Sequence, residues 1–137
     1  MATVLVAEDD ADIRELVAYK LHQAGHQVVS VADGLSAVAV ARDAAPDVAI
    51  VDVSMPGLSG IQVCSVLREH PATASIPVIL LSARAQADDS ETGLQAGAVD
   101  YVTKPFCPRE LVERVVSLLG TRRALALTAP PLQRRAG

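Results

Sequence analysis

Short apolar runs alternate along this chain with longer segments of helical period. The runs at 4–7, 27–31, 48–52, 78–81 and 99–102 are rich in Val, Ile and Leu and read as strands. Between them, 11–24 reads as a helix with Ile13, Leu16, Val17 and Leu21 on one face and Gly25 as its stop. A second helix is expected over 35–44, ended by Pro46, and a third over 61–69, closed by His70-Pro71. The fourth, over 86–96, is weaker, with Gly93 inside it and Gly97 after it. The fifth, over 108–119, would bury Leu111, Val112, Val115, Val116 and Leu119.

Strict alternation of strand and helix predicts an α/β fold, a parallel sheet with helices on both faces. Strands this continuously apolar fit burial on both sides, and right-handed crossovers make the fold doubly wound. No internal repeat is present. Residues 1–120 are read as one domain, with no second domain after it. From Thr121 the character changes, through Ala124-Leu125-Ala126-Leu127 to Pro130-Pro131 and Arg134-Arg135. That stretch, 121–137, is read as a flexible tail or a truncated linker.

The 137 residues are enough for one full core, and with 50% hydrophobic residues but 2% aromatic ones, that core must be aliphatic. A net charge of −4 argues against a general nucleic-acid-binding surface. No apolar stretch is long enough for a bilayer or a signal-peptide core, so a cytoplasmic protein with no membrane contact is expected. Cys64 and Cys107 have neither metal-knuckle nor disulfide spacing and are read as reduced, Cys64 as packing. His22, His26 and His70 are scattered and read as surface residues.

In an open parallel sheet the carboxyl ends of the strands share one edge, where ligands bind. The residues after each strand are then a candidate site: Glu8-Asp9-Asp10, Asp33-Gly34, Asp52, Ser82 and Thr103-Lys104-Pro105. Asp52 ends the run Val48-Ala49-Ile50-Val51, which makes it an acid pushed out of a buried strand. Converging acids need raised pKa values or a bound cation. All the donors are oxygens, which selects a hard cation, and Mg²⁺ held by one or two carboxylates plus a phosphate fits. With Lys104 as fixed positive charge and Ser82 as a hydroxyl donor, the set describes carboxylate attack on phosphorus. Asp10 and Asp33 are read as helix caps instead.

These residues carry a resemblance. Glu8-Asp9, Asp52 with Met55-Pro56 and Gly60, Leu81-Ser82-Ala83 and Tyr101-Val102-Thr103-Lys104-Pro105-Phe106 together resemble the receiver domain of two-component response regulators, over residues 3 to about 120. The resemblance implies a flavodoxin-like (βα)5 sandwich with strand order 2-1-3-4-5. It implies Asp52 as phosphoacceptor, Mg²⁺ held by Glu8, Asp9, Asp52 and the Ser54 carbonyl, and Lys104 on the phosphoryl oxygens. Ser82 would be the switch hydroxyl and Tyr101 the aromatic switch, while Ser54 and Arg84 would tune phosphoryl lifetime. Lys104-Pro105 is expected to be cis.

The implied phosphodonor is a sensor histidine kinase or a phosphotransfer protein. The domain would catalyse only its own phosphorylation and dephosphorylation, and would signal through the face made by the fourth helix, fifth strand and fifth helix. Asp88, Asp89 and Glu91 make the fourth helix acidic. Asp100, Glu110 and Arg114 resemble the interface charges of dimerising winged-helix regulators, but Ser90 stands near the place of the expected base, so a phosphorylation-dependent homodimer stays open. Three readings of the output remain: a stand-alone receiver with an unknown protein partner, the N-terminal part of a DNA-binding regulator continuing beyond Gly137, and a phosphatase-like hydrolase. Against the last, Ser54 occupies the position where a second acid would be needed.

Overall fold

The computed structural model describes residues 2–83 and 89–128, with backbone only for 89–91 and 121–128. Its elements run β1 (Thr3–Ala7), α1 (Ala11–Gln23), β2 (Gln27–Val31), α2 (Gly34–Ala44), β3 (Val48–Asp52), α3 (Gly60–Glu69), β4 (Val78–Ala83), α4 (Asp89–Gln95), β5 (Asp100–Lys104) and α5 (Pro108–Thr128). The strands form one parallel sheet in the order β2-β1-β3-β4-β5. This is the doubly wound α/β sandwich expected.

The sheet divides an aliphatic core into two layers. On one face Leu5, Ala7, Ala49, Val51, Val78 and Leu80 meet Ala37 and Ala41 of α2 and Val63, Cys64 and Leu67 of α3. On the other, Val4, Val6, Val48, Ile50, Ile79 and Leu81 meet Val17 and Leu21 of α1 and Leu111 and Val115 of α5. Successive strand residues point to opposite layers, so the central β3 is buried at every position. Burial also holds the Cys64 thiol above its usual range.

The helix starts follow capping chemistry. Asp10 accepts from the Asp12 and Ile13 amides, Asp33 from the Ser36 amide, and Ser59 forms a reciprocal box with Gln62. The local hydrogen bonds at Asp33 hold its carboxyl below the usual range.

Several expectations are corrected. Leu16 is 45% exposed and Val116 is 51% exposed, although both were placed on buried faces. The stripe that fits between sheet and neighbouring helix is narrow. It takes Ile13, Val17 and Leu21 on α1, and Leu111 and Val115 with the half-buried Val112, Leu118 and Leu119 on α5. Leu16 and Val116 lie just beyond its edges. Helix α5 continues to Thr128 rather than stopping at 119, because Ala124-Leu125-Ala126-Leu127 are strong helix formers. His26 is half-buried rather than exposed, and both its ring nitrogens are buried with no hydrogen-bond partner among the described residues. Residues 84–88 and 129–137 lie outside the described residues, and with them Arg84, Asp88, Pro130-Pro131 and Arg134-Arg135.

One arginine ties together the sheet edge opposite the strand ends. Arg68, on α3, donates from Nε and Nη2 to the Gly97 carbonyl (3.2 and 2.6 Å) and from Nη1 to the Ala74 and Ile76 carbonyls (2.5 and 3.0 Å). Gly97 has φ +112°, and a Cβ there would lie 2.5 Å from Arg68 Nε. Glycine is therefore required at 97 twice over, by its backbone conformation and by the guanidinium.

Candidate functional site

The register of the sheet decides which strand ends meet. Ala7 pairs with Val51, Asp52 with Leu81 and Ser82 with Thr103. Glu8, Asp52, Ser82 and Lys104 consequently come to one edge within neighbouring strands. Two of these positions differ from expectation: Ser82 and Lys104 lie inside β4 and β5, which run on to Ala83 and Lys104, rather than after them.

Asp52 is 3% exposed and Glu8 fully buried. Lys104 Nζ reaches both, at 2.7 Å from Glu8 Oε1 and 3.1 Å from Asp52 Oδ2. The Val53 amide donates to the Leu81 carbonyl at 2.8 Å, and the Ser54 amide approaches Asp52 Oδ1 at 3.4 Å. Behind Asp52, Gly60 starts α3 so close that a Cβ would lie 2.3 Å from the Asp52 carbonyl oxygen. The residue type at 60 is thus set by the backbone of the acid itself. The Lys104–Pro105 peptide is cis, as expected.

Two buried carboxylates share one cation, and the charge does not balance without a proton. Burial, and then the neighbouring Asp52, push Glu8 up to about 8, against the pull of Lys104. Burial alone would lower Lys104, but the hydrogen bond to Glu8 and the Asp52 charge outweigh it and hold the ammonium above its usual range. The folded state therefore keeps a proton on Glu8 that the unfolded chain releases near 4.5. That contribution to stability is fully present below the unfolded value and is lost as pH rises through the folded one. The metal-free protein is expected to melt at progressively lower temperature from about pH 5 to about pH 9, a loss on the order of a few kcal/mol, and Glu8→Gln should flatten the slope. Thermal scans across that range check this; a parallel slope in the variant would refute it.

The acids also suit a hard cation. Glu8, Asp9 and Asp52 each offer an oxygen, all within 4.8 Å of one another. Glu8 Oε1 is taken by Lys104, but Oε2 is buried with no hydrogen-bond partner among the described residues. A buried carboxylate oxygen left in that state is costly, and an oxygen-liganded cation would satisfy it. Asp9 is exposed and supplies the solvent-facing side of the triad.

Ser82 is fully buried, and its hydroxyl donates to the Ala83 carbonyl at 3.3 Å. Tyr101 is half-buried and packs on the layer that holds α2 and α3. On the outer side of β5, Arg114 Nη1 pairs with Asp100 at 2.6 Å and Nη2 with Glu110 at 3.3 Å, which raises the Arg114 pKa. The three charges that resembled an intermolecular interface are paired within this chain. Leu94, Val99 and Val116 are exposed large hydrophobic residues, the first on α4, the last on α5 and Val99 just before β5. The sequence reading missed Arg14, whose Nη1 donates to the Glu8 carbonyl at 2.9 Å. It carries no motif signal, since a side chain that serves a main-chain oxygen is not encoded by a partner residue type.

A family model for the response regulator receiver domain matches residues 4–116. The phosphate regulon transcriptional regulatory protein PhoB of Escherichia coli is 44% identical over 116 residues, which cover 85% of this chain and 51% of that protein. The chain spans about half the length of the curated relatives it matches. Among solved structures, the Francisella response regulator 1452 receiver domain superimposes with a TM-score of 0.82 at 34% identity, covering 89% of this chain and 99% of that one. Chemotaxis response regulator CheY4 of Vibrio cholerae gives 0.80 at 32% identity, covering 86% and 98%.

Proposed function

We propose that this chain, which belongs to the response regulator receiver domains, takes a phosphoryl group onto Asp52 from the phosphohistidine of a sensor kinase or a phosphotransfer protein. As a member of that family it is a signalling domain of a two-component system rather than a classical enzyme. The observation that carries the residue assignment is the pairing of a buried, strand-end Asp52 with Lys104 at 3.1 Å, beside a buried Glu8 oxygen with no hydrogen-bond partner among the described residues. Such exchange would take place in the cytoplasm; among the described residues no helix is long and apolar enough to cross a membrane.

In this reading Asp52 Oδ attacks phosphorus in line as the bond to the donor nitrogen breaks, giving an acyl phosphate. Lys104 is already within reach of the Asp52 carboxylate and offsets negative charge on the phosphoryl oxygens. Glu8, Asp9 and Asp52, with the Ser54 carbonyl, would hold Mg²⁺, which when bound supplies further positive charge to those oxygens. Glu8 must lose its proton for that, so metal binding should release protons below about pH 8. Ser82 then turns toward the new anion, Tyr101 moves inward, and the face of α4, β5 and α5 changes. Ser54 and Arg84 are assigned to phosphoryl lifetime.

Acetyl phosphate with Mg²⁺ should add one hydroxylamine-labile phosphoryl group, and peptide mapping should place it on the segment carrying Asp52. A label on another residue, or none, would overturn the assignment. A second reading is favoured by the relatives, which include transcriptional regulatory proteins of which this chain matches only 51%. There the domain would be the receiving half of a DNA-binding regulator, and the reading frame beyond Gly137 decides it. Light scattering with a phosphoryl mimic tests whether the exposed Leu94, Val99 and Val116 support a homodimer.

A further inference from the structure

We infer that Arg14 is a positioning residue for the metal-binding acids, acting through the peptide that joins Glu8 to Asp9. The inference rests on the reading of Glu8, Asp9 and Asp52 as a cation site.

The turn from β1 into α1 carries both acids and is pinned on all but one side. The Glu8 amide donates to the Val31 carbonyl of β2 at 3.1 Å. Asp10 is locked to the first turn of α1 by its bonds from the Asp12 and Ile13 amides, at 2.9 and 3.2 Å. Between them lies the Glu8–Asp9 peptide, and its carbonyl oxygen takes Nη1 of Arg14 at 2.9 Å in a partly buried setting. A peptide is planar, so fixing its oxygen fixes the direction in which the next Cα leaves. The side chain set by that plane is Asp9. It is exposed, so no packing around it does the same work.

Arg14 lies on the first turns of α1, one helical turn beyond Asp10, whose carbonyl its own amide engages at 2.9 Å. The guanidinium is therefore anchored to the same helix that Asp10 caps, and helix, turn and strand end move as one piece. A charge-only role predicts the opposite sign. Positive charge near the acids repels a divalent cation, so removing it would tighten metal binding.

The test is calorimetric titration of Mg²⁺ into the metal-free wild type, Arg14→Met, Arg14→Lys and Asp9→Asn, well below each melting temperature. Loss of a group that orients ligands costs about 10- to 100-fold in metal affinity, and Arg14→Met should lose about that much. Arg14→Lys keeps the charge without the planar fork and should fall between wild type and Met, at least about threefold weaker. Excess Mg²⁺ should return the acetyl phosphate labelling rate of Arg14→Met to the wild-type value, which simple destabilisation would not allow. Affinity in Arg14→Met equal to or tighter than wild type overturns the inference; if that variant does not fold, unchanged affinity in Arg14→Lys does so. If the wild type itself binds no better than Asp9→Asn, the cation-site reading fails instead.

Discussion

Asp52→Asn should take up no phosphoryl group from acetyl phosphate and Mg²⁺, a loss of more than about 10⁴-fold in labelling rate. The amide nearly matches the carboxylate in size and can sit in the same 3% exposed place at the end of β3. It lacks the anionic oxygen that would attack in the proposed mechanism, and among the described residues no neighbouring acid is placed to replace it. Glu8 is held by Lys104 at 2.7 Å, and Asp9 lies out in solvent. The fold should survive, because the substitution removes one of two buried carboxylates competing for one ammonium. The metal-free variant is expected to melt above the wild type. Folded protein without label is the predicted outcome, and stoichiometric labelling would remove Asp52 from its role.

Lys104→Met should have the second largest effect, in two measurements at once. It strips from Glu8 and Asp52, whose side chains are 1% and 5% exposed, the cation that pairs with both among the described residues. Leaving buried charge without a partner costs about 3–5 kcal/mol. In the metal-free variant at neutral pH that should appear as a marked fall in melting temperature. Acid should recover part of it, since protonating either carboxylate removes the repulsion, and Mg²⁺ should recover part by another route. Labelling should drop by about 10²- to 10³-fold even at saturating Mg²⁺, the scale of one lost electrostatic contact in a buried site. Unchanged melting with undiminished labelling would mean that Lys104 is a bystander.

The parallel sheet and its site edge were legible because they follow from alternation, while the strand order was legible only through the family resemblance. Once β1, β3, β4 and β5 are placed side by side, Glu8, Asp52, Ser82 and Lys104 cannot avoid one another. The caps at Asp10 and Asp33 were legible for a local reason, since a carboxylate before a helix has amides to bind. What escaped depends on the third dimension. Leu16 and Val116 have the right period but the wrong angle relative to what covers each helix. Arg14 and Arg68 bond to carbonyls, which every residue owns, so their neighbours in sequence reveal nothing. Glu8 was read as an acid of the metal pair, but its proton follows from the depth of burial.

The contact between Arg68 and Gly97 has a consequence for how this sequence can drift. One residue is on α3 and the other in the turn before β5, 29 positions apart. Any side chain at 97 would enter the space of the Arg68 side chain, and any shortening at 68 would strand the carbonyls of Ala74, Ile76 and Gly97. Neither position can change alone without loss. A substitution that looks local to the α4–β5 turn is in effect a substitution in α3.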